Sequence, residues 1–470
     1  MTKFLAIAAL LAMAMGCSNS QKVEWVETTN DQQWVAQTAA MVSNDKVDAA
    51  SILIDPDSAR QIIDGFGGCF NELGWDALQS LTEENRQVVL KNLFDSVAGC
   101  RFNIFRMPIG ANDYAVDWYS HNETAEDFEM TNFSLDRDKQ RLIPYIKTAQ
   151  TFNPDMQVWA SPWCPPSWMK TNHHYACASN AEFNDLPLDR QGKEMITQFR
   201  MEPKVLEAYA LYFEKFIQGY QAEGINISAI HVQNELNSCQ NFPSCIWTPG
   251  AMATFIGDYL GPKFEADGIQ AKIWLGTIER PQIERVDSIV LDPQAAKYIN
   301  GIGFQWAGKG AIAEVHRKYP DMKLMQTETE CGNGSNDWAA AEHTFGLMKH
   351  YFRNGANAYM YWNMVLDETG KSQWGWKQNS MISIDKASGK VVYNPEYYLM
   401  KHLSYFVAPG SKYIPVSDDE NCMAFLNDHQ LVIFYYNAAD ETKNTSFTVN
   451  GKTITVDLKP KSFNTMRVKV

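Results

Sequence analysis

The sequence lacks any cluster of Lys and Arg, and its acidic residues outnumber the basic ones by 55 to 41. The formal net charge at pH 7 is therefore −14. Proteins bind a phosphate backbone through clustered positive charge, and no stretch of this chain interleaves aromatic with basic residues. The composition thus argues against a nucleic-acid partner.

Long apolar runs are scarce as well. Beyond the N-terminus, no run is long enough to span a bilayer. The exception, MTKFLAIAALLAMAMGC, has one Lys before a short apolar stretch and Gly16 before Cys17. This order is typical of the signal peptide of an exported protein.

The cysteine directly after a small residue is similar to a bacterial lipoprotein cleavage site. We therefore predict a signal peptide over residues 1–17 and lipidation of Cys17. The predicted location is the outer membrane or cell surface, with membrane contact only through this N-terminal lipid anchor. The alternative is plain export into the periplasm or the medium.

The nine cysteines do not have the spacing of a zinc site, in which one short Cys pair accompanies a second Cys or His pair. We predict no structural metal. Without Cys17 an even set of eight remains, which permits disulfides in an oxidising compartment. Cys239–Cys245 and Cys164–Cys177 are close enough in sequence to be candidate pairs.

A glycine-rich dinucleotide loop is absent too, because GFGG lacks the spacing and the following helix. What the chain does have is eight short apolar segments that alternate with helical ones. The segments are DGFGG, FNIFRMPIG, MQVWASPW, ISAIHVQNE, AKIWLGTIE, INGIGFQW, KLMQTETE and NAYMYWNMVL. This alternation predicts an α/β fold with a closed (β/α)8 TIM barrel over residues 64–406, and a doubly wound open sheet is the alternative.

The helical pattern stops after Ala408-Pro409-Gly410. Segments such as LVIFYYN and KTITVDL then alternate apolar and polar residues, which predicts a β-sandwich side domain over 407–470. One or more strands in residues 51–63 are predicted to join it, so the side domain is built from both ends of the chain. Residues 18–50 are predicted to be an N-terminal tether or segment.

Two glutamates follow predicted barrel strands, Glu235 after the fourth and Glu328 after the seventh. Barrel enzymes carry their active sites at these strand ends. A pair of carboxyls that flanks one site, one protonated and one ionised, is what glycosidic cleavage requires. The alternative is that each glutamate is solvated or pairs with an arginine such as Arg106. The residues alone leave the roles of the two carboxyls open.

Six motifs in chain order extend this interpretation. They are GFGGCFNELG, FRMPIGANDY, ASPWCPPSWMKTN, HVQNE, LMQTETE and YWNMVL. Together they resemble glycoside hydrolase family 30, whose members are retaining (β/α)8 glycosidases and include glucosylceramidases, β-1,6-glucanases and xylanases. The resemblance covers about residues 64 to 380, and the side domain fits the same family.

The resemblance implies that Glu235 is the acid/base and Glu328 the nucleophile, with Glu330 as the second choice for the nucleophile. It implies no metal and no organic cofactor. The residues it implies for substrate binding are Asp113, Trp163, Asn234, Gln305, Trp306 and Trp362. From the residues alone, core packing of the tryptophans Trp163 and Trp362 is an equally good explanation.

Two positions depart from the family pattern. Gln305 stands where glucosylceramidases tend to have His, and Leu236 stands where Pro usually follows the Asn-Glu pair. The expected partner is a carbohydrate substrate, with a β-1,6-glucan as the first expectation. Glucosylceramide or a small β-glucoside comes second, and β-1,4-xylan third. A surface lipoprotein that binds glycans without cleaving them is the alternative from another class.

Two inserts, DYAVDWYSHNETAEDFEM and NHHYACASNAEFNDLPLDR, are expected to shape the leaving-group side of the cleft and hence linkage preference.

Overall fold

The computed structural model describes residues 20–43, 50–418 and 420–470. The predicted signal peptide and Cys17 lie outside this part of the chain. Within it, no helix has both the length and the apolar character needed to cross a membrane.

Strands and helices alternate through the middle of the chain, and strands predominate at both ends. The strands are β1 (Gln21–Thr28), β2 (Val35–Ser43), β3 (Ile52–Leu53), β4 (Gly65–Cys69), β5 (Ile104–Ile109), β6 (Gln157–Pro162), β7 (Ile227–His231), β8 (Lys272–Ile278), β9 (Ile299–Gln305), β10 (Lys323–Glu328), β11 (Ala358–Asn363), β12 (Val365–Asp367), β13 (Ile382–Asp385), β14 (Lys390–Tyr393), β15 (Lys412–Ile414), β16 (Cys422–Asn427), β17 (Gln430–Asn437), β18 (Lys443–Val449), β19 (Lys452–Leu458) and β20 (Ser462–Lys469). The α-helices are α1 (Glu72–Gln79), α2 (Glu83–Phe94), α3 (Leu142–Phe152), α4 (Pro203–Ala222), α5 (Pro249–Thr254), α6 (Gly261–Ala266), α7 (Ile283–Val290), α8 (Ile312–Lys318), α9 (Trp338–Arg353) and α10 (Pro395–Ser404), and a π-helix (Phe255–Leu260) joins α5 to α6.

The eight strands β4 to β11 form a closed parallel barrel, in which β11 pairs with β4 to complete the ring. Each of the eight predicted apolar segments overlaps one of these strands. The predicted (β/α)8 fold is therefore confirmed, and the open doubly wound sheet is excluded. Glu328 ends the seventh barrel strand, and Glu235 follows the fourth within a short turn.

Four of the described helices, α1, α2, α5 and α9, begin after a side chain that accepts a hydrogen bond from an amide group of the first turn. Thr82 Oγ1 accepts from the Asn85 amide at the start of α2, and Asp337 does the same for Ala340 at the start of α9. Such caps fix the residue at which a helix starts.

The side domain is one continuous sheet of nine strands in the order β15-β16-β17-β20-β1-β2-β19-β18-β3. Buried apolar residues from strands across the whole sheet form a core of its own, and others, such as Phe425, Phe434 and Phe463, pack into the core of the barrel. Strands from both ends of the chain contribute, as predicted. A third, three-stranded sheet of β12, β13 and β14 follows the last barrel strand.

The segment 18–50 corrects the prediction of a tether. Its described residues form β1, which pairs with β20, and β2, which pairs with β19. The cause of the error is the burial of β1 on both faces next to the barrel: Glu27 and Thr28 are buried alongside Val23 and Trp25, so the sequence does not alternate cleanly.

A buried histidine joins the side domain to the barrel helices. His402 on α10 has one ring nitrogen 2.8 Å from Thr465 Oγ1 and the other 2.8 Å from Thr28 Oγ1. Burial lowers the pKa of His402 to about 3, so the ring is neutral and can both donate and accept.

The cysteines also differ from the prediction. All eight cysteines among the described residues are free thiols, and seven of them are buried, so neither Cys239–Cys245 nor Cys164–Cys177 is a disulfide. Closeness in sequence is not sufficient for a disulfide, because the bond needs a specific separation and orientation of the two side chains.

Candidate active site

A cavity of about 510 Å³ opens at the carboxyl ends of the barrel strands. Its wall combines carboxyl, amide and aromatic side chains. The lining includes Asp113, Trp163, Asn234, Glu235, Gln240, Phe242, Glu279, Arg280, Trp306, Glu328 and Trp376. Six of the eight residues that the resemblance implies for catalysis or substrate binding thus lie together on one surface.

Arg106, on the second barrel strand, is fully buried beneath this cavity. Its Nη1 donates to Glu328 Oε2 at 2.9 Å, and its Nη2 donates to Asn234 Oδ1 at 2.7 Å and to Ser161 Oγ at 3.0 Å. The guanidinium therefore ties together the ends of four barrel strands. From the sequence, Arg106 was named only as a possible ion-pair partner of a glutamate. The available signal was a charged residue in the middle of the apolar strand segment FNIFRMPIG.

Gln305 joins the two glutamates directly. Its Nε2 lies 3.2 Å from Glu235 Oε1 and 3.3 Å from Glu328 Oε2. The two carboxyl oxygens therefore lie at most about 6.5 Å apart, the sum of those two distances. The carboxyls of inverting glycosidases lie about 6.5 to 9.5 Å apart, and those of retaining glycosidases about 5 to 5.5 Å apart. This upper limit places the two bridged oxygens no further apart than the closest inverting pairs.

Glu328 is surrounded by donors although it is only 5% exposed. Besides Arg106, the Trp306 indole donates from Nε1 to Glu328 Oε1 at 3.0 Å. Burial raises the pKa of Glu328 to about 7, Arg106 opposes this rise and the charge of Glu235 adds to it. The donors around Glu328 therefore favour its ionised form against the effect of burial.

Glu235 has a backbone conformation that side-chain-bearing residues rarely adopt, with φ of 49°. Its amide donates to Thr277 Oγ1 at 3.2 Å, and Gln240 Nε2 donates to its Oε2 at 3.1 Å. Asn234 Oδ1 in turn accepts from the Thr277 hydroxyl at 3.0 Å. Backbone strain of this kind concentrates at functional sites, and here it turns the carboxyl back over the barrel mouth.

The remaining substrate-binding candidates divide into two groups. Asp113 and Trp163 line the cavity, whereas Gln305 and Trp362 are fully buried and do not line it. Trp362 packs against Trp163 with ring centroids 5.4 Å apart, beside Arg106. Trp362 is therefore packed in the core beneath the cavity. Gln305 is also buried beneath the cavity and donates to both carboxyls.

Asp113 retains an unused acceptor. It is buried, and its Oδ1 has no hydrogen-bond partner among the described residues. Burial raises the pKa of Asp113 well above its ordinary value, and the nearby Glu328 adds to that rise.

Glu330, the second choice for the nucleophile, does not line the cavity. Its carboxyl instead pairs with Lys309 and His343. Those two partners lower the pKa of Glu330 against the effect of burial, so this group is a structural ion pair.

The comparisons with known proteins agree with this geometry. Residues 63–407 match the model of the glycosyl hydrolase family 30 TIM-barrel domain. The lysosomal acid glucosylceramidase of Mus musculus is 26% identical over 83% of this chain and 78% of its own. The endo-1,6-beta-D-glucanase BGN16.3 of Trichoderma harzianum is 27% identical over 75% of this chain and 71% of its own.

Among solved structures, the endo-beta1,6-glucanase BT3312 superimposes with a TM-score of 0.81 and 25% identity, over 95% of this chain and 100% of that one. The family match spans most of the chain, and the matched region is the barrel whose strand ends carry the two bridged carboxyls. The chain therefore belongs to glycosyl hydrolase family 30 and is a β-glycoside hydrolase.

Proposed function

We propose that this enzyme cleaves β-1,6-glucan by double displacement with retention of configuration. The observation that supports the proposal is the bridge from Gln305 to both carboxyls, which keeps the bridged oxygens of Glu235 and Glu328 within about 6.5 Å, the lower limit for inverting pairs.

In the first step Glu328 attacks the anomeric carbon and forms a glycosyl ester, while Glu235 gives its proton to the departing glycosidic oxygen. The donors Arg106 and Trp306 hold the carboxyl of Glu328, which lines the cavity. They favour the ionised carboxylate, which is the form that attacks.

In the second step Glu235, now ionised, accepts a proton from water, and the water oxygen displaces Glu328 from the anomeric carbon. Two inversions restore the original configuration. Asn234 is positioned beside both carboxyls, because its Oδ1 accepts from Arg106, Thr277 and Gln305 at once. The side-chain Nδ2 of Asn234 takes no part in these bonds and is the group that donates to a sugar hydroxyl.

Two observations support a glucan as the substrate. A relative named endo-1,6-beta-D-glucanase and the solved structure of an endo-beta1,6-glucanase both align over most of the chain. The cavity wall also carries polar and charged groups next to Glu235, namely Gln240, Glu279 and Arg280. Such groups suit the hydroxyls of a leaving sugar.

Glucosylceramide is the second candidate, because the relatives named as glucosylceramidases cover similar shares of the chain. The buried Gln305, which takes the place of the histidine expected for that activity, argues for the glucan.

The test is a digest of β-1,6-glucan, with glucosylceramide in detergent as the parallel substrate. Wild-type enzyme is expected to release oligosaccharides from the glucan, and proton NMR of the fresh product should show the β anomer first. Glu235→Gln should slow release by about 10²- to 10⁴-fold, the usual contribution of a general acid.

Hydrolysis of glucosylceramide without release of glucan oligosaccharides would transfer the assignment to the second candidate. Initial appearance of the α anomer would contradict double displacement, whichever substrate is cleaved.

A further inference from the structure

A hairpin that reads KSQWGWK projects over the cavity after the last barrel strand. Its ends, Lys371 and Lys377, form an isolated antiparallel bridge, and the Ser372 amide donates to the Trp376 carbonyl at 2.8 Å. The two tryptophans of this hairpin have different surroundings.

Trp374 is the anchor. It is 3% exposed, its ring lies 4.1 Å from that of Trp118, and its Nε1 donates to the Asn112 carbonyl at 3.4 Å. Trp118 in turn stacks on Tyr175 at 5.6 Å. The two inserts were expected to form the leaving-group side of the cleft, but apart from Asp113 they do not line the cavity. Their residues Trp118 and Tyr175 pack against the hairpin on the side of Trp374 instead.

Trp376 faces the opposite way. It is half-buried, lines the cavity, and meets Phe242 with ring centroids 4.9 Å apart. Gly375 between the tryptophans has φ of 103°, and a Cβ there would lie 2.1 Å from the Phe183 ring. Only glycine accepts both constraints, so Gly375 is what allows the two rings to point apart.

The position of Phe242 identifies the side of the cavity. Phe242 belongs to the loop that follows Glu235, and Gln240 in the same loop donates to the Glu235 carboxyl. The acid that protonates the glycosidic oxygen lies on the leaving-group side by necessity. An aromatic face here therefore meets the part of the substrate that departs.

We propose that Trp376, backed by Phe242, is the stacking surface for the leaving-group sugar of a glucan, a binding subsite set by the Gly375 turn. This inference rests on the proposed function and names the residue that selects a sugar on the leaving side. Arg280, whose guanidinium is held by Glu194, borders the same surface and supplies donors for hydroxyls of that sugar.

The test separates leaving-group binding from chemistry by comparing two substrates. A β-1,6-linked glucose trisaccharide has a leaving sugar; β-glucosyl fluoride has none. Trp376→Leu is expected to raise KM for the trisaccharide about tenfold or more, the loss of one aromatic contact, and to leave turnover of the fluoride unchanged. Trp376→Phe is the matched control and should restore most of the binding.

Gly375→Ala supplies a second route, since it keeps Trp376 but disturbs its presentation, and the same selective defect is expected. Equal losses on both substrates in Trp376→Leu, or no loss on either, would overturn the subsite while the glucanase assignment stands. A wild-type enzyme that hydrolyses β-glucosyl fluoride but not the trisaccharide would overturn both. Circular dichroism and thermal unfolding of each variant verify that it is folded.

Discussion

The two ends of the barrel each hold a cavity, and the larger one is at the end without the paired carboxyls. At the amino ends of the strands, a cavity of about 1060 Å³ is lined by Trp159, His231 and Trp274 among others. At the carboxyl ends, about 510 Å³ holds Glu235 and Glu328. The volume of a cavity therefore does not identify the active site of this barrel.

The difference lies in how the buried groups are satisfied. At the carboxyl end, Arg106 donates hydrogen bonds to Glu328, to Ser161 and to Asn234, which lie at the ends of three other strands. At the amino end, His231 stacks between Trp159 and Trp274 at 4.0 and 5.1 Å. A site for charge development needs preorganised donors, and packed rings supply stability instead.

The largest expected effect concerns the carboxyl end. Glu328→Gln should lower kcat/KM on the trisaccharide by about 10³-fold or more, because the proposed nucleophile is lost. Glu330→Gln is the matched control, two residues further on and outside the cavity, and should retain activity. Steady-state kinetics of both variants measure the contrast. An active Glu328→Gln with an inactive Glu330→Gln would reverse the assignment.

Arg106→Lys tests whether the network or the charge alone is required. Lysine keeps the charge but cannot donate to Glu328, Asn234 and Ser161 together, so kcat should fall about 10²-fold with less change in KM. We expect this fall in kcat to arise in folded enzyme and not from unfolding of the variant. Urea denaturation measures the free energy of unfolding separately. Full activity in Arg106→Lys would show that positioning through this network is dispensable.

The amino end should respond in the opposite manner. Trp274→Ala removes a ring from the buried cluster there and should reduce the free energy of unfolding by about 3 to 5 kcal/mol. Activity of the folded fraction should change little, because the site lies at the other end. Urea unfolding and kinetics on β-glucosyl fluoride below the transition make the comparison. A loss of turnover comparable to that of Arg106→Lys would mean that the two ends are coupled.

The smallest effect is one of pH, and its sign differs between the two ends. The pKa values of Glu279 and Glu328 rise from 4.5 to about 7, so between these values the folded state binds more protons than the unfolded state. The free energy of unfolding therefore falls as pH rises through that window. Burial lowers the pKa of His231 well below 6.5, so its contribution is lost as pH falls.

Denaturation of Glu328→Gln and His231→Phe near pH 5 and near pH 7 resolves the two contributions. Relative to wild type, stability should rise more steeply with pH in Glu328→Gln and less steeply in His231→Phe. If the free energy of unfolding changed equally with pH in all three proteins, the proposed opposite contributions of Glu328 and His231 would be contradicted.

Much of the fold could be predicted because each barrel strand is an apolar run bounded by turn residues, a pattern contained in a few consecutive residues. The placement of Glu235 and Glu328 after the fourth and seventh strands followed from counting those runs. Strand β1 was missed because its burial on both faces removes the alternation that identifies a strand. Strand β2 alternates in exposure, but its exposed face carries Ala36, Ala40 and Val42, so its sequence does not alternate.

The sequence by itself determined that the chain is a barrel enzyme with carboxyls at two strand ends, because strand periodicity and the six family motifs are local properties of the chain. Only the tertiary structure decided that Gln305 bridges the carboxyls from below, that Arg106 joins four strand ends, and that Trp374 anchors a hairpin so that Trp376 faces the cavity. These contacts join residues far apart in sequence. Their distances are set by closure of the barrel, which no local pattern specifies.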